Sequence, residues 1–146
     1  MNLIGIEKLV FGVDDLGHCK KFWRDFGLSV REDDEDHALF ACASKAKVEV
    51  RRKDDPSLPP PVVKEPTVRE TVWAAADQDT VDEVGEELSK DRDVRVDEDG
   101  SIHAIDPEGY GIGFAVTERI DFPPADTQYN GPGHETRFDE PAKFYK

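Results

Sequence analysis

From Ile6 to Val13 the chain alternates, with Leu9, Phe11 and Val13 on one side of an extended segment and Lys8, Val10 and Gly12 on the other. A period of two sends side chains to opposite faces of a sheet, so a strand with one greasier face is predicted. Asp14 and Asp15 follow, with side-chain oxygens suited to the orphan amides of a helix start. Cys19, Phe22, Trp23 and Phe26 then recur at helical spacing and predict an amphipathic helix with those four as its apolar stripe. Gly27, tolerant of positive φ, ends it.

The same pattern returns 62 positions later. That offset carries Lys8 to Glu70, Val10 to Val72, Phe11 to Trp73, Asp15 to Asp77, Cys19 to Val81, Phe22 to Val84 and Phe26 to Leu88. Strand, acidic turn and helical stripe stay in register, which points to a duplicated unit. In the first copy, Leu28 to Arg31 reads as a strand, the acidic run Glu32 to Asp36 as a solvated turn, and His37 to Ala43 and Ala46 to Arg52 as two further strands. In the second, Thr67 to Ala76 is a strand and Asp79 or Thr80 caps a helix reaching about Lys90, Thr80 and Glu83 matching a capping box. Strands at Val94 to Asp97, Ser101 to Asp106 and Gly111 to Thr117 complete it, with Asp99-Gly100 as a hairpin turn.

Each half therefore reads β, α, β, β, β, and the fold class is α+β. The modules span 1–54 and 67–118 of one domain at 1–118. Residues 55–66 hold Pro56, Pro59, Pro60, Pro61 and Pro66 and form a stiff connector. Residues 119–146, with Pro123, Pro124, Pro132 and Pro141, show no periodicity and read as an extended arm or linker.

Charge narrows the partners. The 146 residues carry 33 acidic and 19 basic side chains for a net charge of −14, which argues against nucleic acid and permits a cationic small molecule. Cys19 and Cys42 make no disulfide framework, and no apolar run is long enough for a membrane span. A cytoplasmic location without membrane attachment is expected.

Two stretches carry a family resemblance. VDDLGHCKKFWRDFGL at 13–28 and IDPEGYGIGF at 105–114 resemble the opening and closing signatures of the vicinal oxygen chelate superfamily, which includes glyoxalase I, bleomycin-resistance and fosfomycin-resistance proteins and extradiol dioxygenases. The resemblance covers roughly residues 4 to 117. It implies two tandem βαβββ modules closed into an eight-stranded, glyoxalase-like cup that holds a divalent metal chelated by substrate.

The metal positions are where this chain departs from the family. By the resemblance, ligands belong on the first and last strands of each half, which here are Lys8, Glu49, Glu70 and Gly113. Only Glu49 and Glu70 can ligate, and both are weak candidates for a metal. An ammonium at Lys8 repels a cation, and Gly113 has no donor. The expectation is that Lys8 stands in for the metal and pairs with Glu70, Glu49 or both, although Glu49, between Lys47 and Arg51, also fits a solvated charged face. None of the four histidines falls on a ligand position. His18, His37 and His134 are expected in solvent-facing or structural roles. His103 sits on a strand that can turn it into the cup, and joins Lys8, Glu49 and Glu70 as a pocket candidate.

Three functions follow from the resemblance, in this order. The first is the metal-free N-terminal module of a dioxygenase resembling catechol 2,3-dioxygenase, not catalytic on its own and free of cofactor, with iron in a second domain following residue 146. The second is a bleomycin-resistance-type binding protein for a cationic small molecule. The third is a glyoxalase-type lyase or isomerase with a divalent metal on Glu49 and Glu70. Open sheet edges favour a homodimer.

Overall fold

The two strand-helix units meet along their first strands. In the structure, a computed structural model that describes residues 2–120, β1 (Leu3–Val13) and β5 (Thr67–Ala75) run antiparallel, with Lys8 opposite Val72, Leu9 opposite Thr71 and Val10 opposite Glu70. The offset of 62 carries Leu9 onto Thr71, so Leu9 faces its own repeat. Lys8 and Glu70, likewise equivalent, stand one step to either side of that point. The pairing has the symmetry of a local two-fold axis through Leu9 and Thr71.

On the first side follow α1 (Leu16–Asp25), β2 (Ser29–Asp33), β3 (His37–Ala41) and β4 (Lys47–Arg52). On the second follow α2 (Gln78–Leu88), β6 (Arg95–Val96), β7 (Ile102–Ile105) and β8 (Gly111–Val116). They build one eight-stranded sheet in the order β2-β3-β4-β1-β5-β8-β7-β6. β4 lies parallel to β1 and β8 parallel to β5, so each half presents the same mixed ladder. This is the α+β arrangement of two βαβββ modules that the periodicity predicts. No helix of the described residues is long and apolar enough to cross a membrane.

Each helix covers its own half. Asp15 accepts from the His18 amide at 2.8 Å and caps α1, and Asp77 accepts from the Thr80 amide at 2.9 Å and caps α2. The second cap lies two residues before Asp79, because Asp77 is extended while Asp79 is already in the first turn. Leu16 joins Val13, Ala38, Phe40 and Val50 in one core cluster, with Cys19 and Trp23 packed against it. Ala75, Val81, Val84, Ile102 and Phe114 form the other, with Trp73 against it. The stripe expected on α1 is rotated: Phe22 and Phe26 are 52% and 67% exposed. Leu16, Cys19 and Trp23 already fill the inward face at helical spacing, so the two phenylalanines stack on the outside, 5.9 Å apart.

Two bulges matter below. Ile6 pairs with Trp73 and Lys8 with Val72, leaving Glu7 as the extra residue of β1; Val10 pairs with Glu70 and Phe11 with Val68, leaving Arg69 as that of β5. Arg69 is 5% exposed and ties down the connector by donating to the Lys53 carbonyl at 3.0 Å and to the Pro59 carbonyl. After β8 the chain turns back across the first module, where the Ile120 amide donates to the Ser44 carbonyl at 3.1 Å. Residues 121–146, most of the expected arm together with His134, lie outside the described residues.

Candidate functional site

Because β1 and β5 are neighbours, side chains that share the concave face of one share it with the other. Val10 and Val72, buried and related by the local two-fold, form the floor. Around them the sheet encloses a cavity of about 530 Å³, and Lys8, Glu49, Glu70 and His103 all line it.

At one end the Lys8 ammonium donates to Glu49 Oε2 at 2.8 Å. Glu49 is 4% exposed, so the solvated-face reading of β4 does not describe it. Its other oxygen, Oε1, accepts from Arg51 Nε, while Arg51 also reaches the Ser57 hydroxyl at 2.7 Å and Asp55 at 3.5 Å. Burial pushes the Glu49 carboxyl up, but Lys8 and Arg51 outweigh it and hold the group below the ordinary glutamate range. The Arg51 guanidinium, which burial alone lowers, is raised in turn by Glu49 and Asp55.

At the other end Lys8 is not the partner of Glu70. His103 Nδ1 lies 2.7 Å from Glu70 Oε1, and Nε2 lies 3.2 Å from the Ser101 hydroxyl and 3.3 Å from Asp97. Ser101 donates from both amide and hydroxyl to Asp99 Oδ1, at 2.9 and 2.6 Å, and these two bonds hold the Asp99 carboxyl below its usual range. His103 reaches Glu70 because it faces Gly113 directly across β7 and β8. A Cβ built on Gly113 lies 3.0 Å from His103 Nδ1 and 3.1 Å from Val72 Cγ2. The imidazole therefore covers the position whose side chain is missing.

Several residues of the cup escape a reading by periodicity. Glu7, 3% exposed, is turned inward by its bulge, accepts from the Thr117 hydroxyl at 2.9 Å and the Glu118 amide at 3.3 Å, and lies 3.6 Å from Lys47. Asp97, Asp99 and Ser101 enter at the turn between β6 and β7, for which Asp99-Gly100 was the available signal, while Arg51 shares the face of Glu49 by the period of two along β4, and that face turns into the cup rather than to solvent. His37, bound to Glu32 at 2.9 Å and Asp34 at 3.1 Å, lies outside the cup lining. These three make up the one group of His, Cys, Asp or Glu among the described residues whose donor atoms converge within 4.8 Å. They are largely exposed, and His37 uses a different ring nitrogen for each carboxylate.

No family model matches the chain, and no curated protein does. Solved structures do. An extradiol ring-cleaving dioxygenase from B. fuscum is similar at a TM-score of 0.66 and 14% identity, over 82% of this chain and 34% of that one. Homoprotocatechuate 2,3-dioxygenase from Arthrobacter globiformis is similar at a TM-score of 0.65 and 18% identity, over 82% of this chain and 38% of that one. This chain thus spans little more than a third of the length of either. At such identities the likeness speaks for architecture, and the architecture is the vicinal oxygen chelate fold.

Proposed function

We propose that this chain is a metal-free module of the vicinal oxygen chelate fold that works beside a ring-cleaving catalytic domain and does not cleave rings itself. The observation that carries this reading is the Lys8–Glu49 pair. Where the fold family places two ligands, an ammonium and a carboxylate neutralise each other, and Arg51 adds a second cation to the same carboxylate. In the other half Gly113 offers no donor, and His103 closes over it onto Glu70. A divalent ion does not fit this donor set. Entering it requires displacing Lys8 against charge repulsion, and Glu49, Glu70 and His103 do not converge as a trio.

The solved dioxygenases supply the partner half of the proposal. They carry its fold over 34% and 38% of their own length. A second catalytic domain or a second copy of this module is the partner proposed, in an intracellular setting. The test is ring cleavage of homoprotocatechuate by the purified chain with added ferrous ion. The reading predicts no ring-opened product; turnover overturns it. A second reading, a binding protein for a small cationic molecule, is supported by the carboxylates of Glu70, Asp97 and Asp99 along one wall of the cup.

A further inference from the structure

We propose that the cup is a binding site for a small zwitterion, with its ammonium end at Glu70 and Asp97, its carboxylate end at Lys8 and Arg51, and its apolar middle on Val10 and Val72. The proposal goes beyond the module reading and rests on the cup being free of a metal ion.

The two sides of the cavity carry different groups: lysine and arginine line the first-module side and carboxylates the second. On the first-module side Lys8 and Arg51 both bind Glu49, and Arg51 is also offset by Asp55, so the cation left facing the cup with protons to spare is Lys8. The Lys8 ammonium uses one of its three protons on Glu49 and keeps 28% side-chain exposure toward the cup. On the second-module side Glu70, Asp97 and Asp99 face Arg95 and one imidazole. Glu70 is 7% exposed, yet only its Oε1 is taken, by His103; Oε2 accepts no hydrogen bond from the described residues. Glu70 Oε2 is open to the cup rather than sealed in the protein, so it can accept from a ligand's ammonium.

The spacing suits a short molecule. Lys8 and Glu70 are diagonal neighbours across β1 and β5, about 7–8 Å apart at the backbone. Between them the two buried valines supply a dry floor. A chain of a few methylenes with opposite charges at its ends matches both poles and the floor, whereas a simple cation or a simple anion satisfies one wall and sets a like charge against the other.

Calorimetric titration of the purified chain with 6-aminohexanoate, hexylamine and hexanoate tests this, with metal content measured on the same sample. The expected result is binding of 6-aminohexanoate at least about tenfold tighter than either single-charge analogue, a difference of about 1.4 kcal/mol. Glu70→Gln removes that preference, and Asp97→Asn, on a more exposed side chain, weakens it in a protein whose fold is unaffected. Equal binding of hexylamine and 6-aminohexanoate, or a preference unchanged in both variants, overturns the proposal, as does the absence of binding by all three. A stoichiometric ion in the sample overturns the module reading instead, and is seen independently of the titration.

Discussion

His103 lies directly across from Gly113, and its imidazole occupies the space that a side chain at 113 needs in order to face the cup. The glycine is thus a condition for the His103–Glu70 contact. Gly113→Ala places a methyl 3.0 Å from Nδ1 and forces the ring to give. The expected outcome is a loss of about 1–3 kcal/mol in denaturant unfolding and a displaced His103 ring resonance. An unchanged ring environment contradicts the contact.

The Lys8–Glu49 pair makes a second prediction. Removing the ammonium leaves a carboxylate that is 5% exposed at its side chain with Arg51 as its remaining cation. Lys8→Met is expected to cost about 1.5–3 kcal/mol in chemical denaturation, and Lys8→Met with Glu49→Leu to recover most of that, since the penalty comes from the orphaned charge.

The same pair sets a pH dependence. Glu49 is held below its ordinary value in the folded chain, so as pH falls below about 4.3 the unfolded chain takes up a proton before the folded one does. The stability this group contributes is complete above that pH and is lost as pH drops through the lower folded value. Unfolding curves from pH 7 to 3 should show a shallower acid loss in Lys8→Met than in the unmodified protein, because the variant lacks the ion that depresses Glu49. Identical slopes count against the pairing.

On α1 the two kinds of apolar residue separate cleanly. Leu16 is 5% exposed and sits in the first core cluster, so Leu16→Ala is expected to cost about 2–4 kcal/mol. Phe26 is 67% exposed, and Phe26→Ser should fall within about 0.5 kcal/mol in the same assay.

Much of this was legible in the residues, and the exceptions share a cause. The offset of 62 named both first strands and matched Asp15 to Asp77, the cap of α2, although the local pattern points to Asp79 or Thr80; because it maps Leu9 to Thr71 it also held the symmetry of the central pairing. The family resemblance, by its ligand positions, put Lys8 and Glu49 where they can meet, as they do. It did not find that His103 covers Gly113, since that depends on the register between β7 and β8, set by the Asp106–Gly109 turn. Nor did it find Glu7, whose inward turn comes from a bulge that breaks the period of two. The rotation of α1 was missed for a related reason: Cys19, Phe22, Trp23 and Phe26 make a stripe wider than the groove beneath it, and only packing decides which half is used.

Whether an ammonium or a metal ion occupies the cup separates a metal-free module from a metalloenzyme. Elemental analysis of the purified chain, before and after equilibration with ferrous, manganous or zinc ion and gel filtration, measures this. The structure predicts far less than one ion per chain in every case, and the same result with His37→Ala as a control for the exposed Glu32, Asp34 and His37 group. One tightly held ion per chain that persists in His37→Ala and is lost in Glu49→Gln or Glu70→Gln contradicts the account.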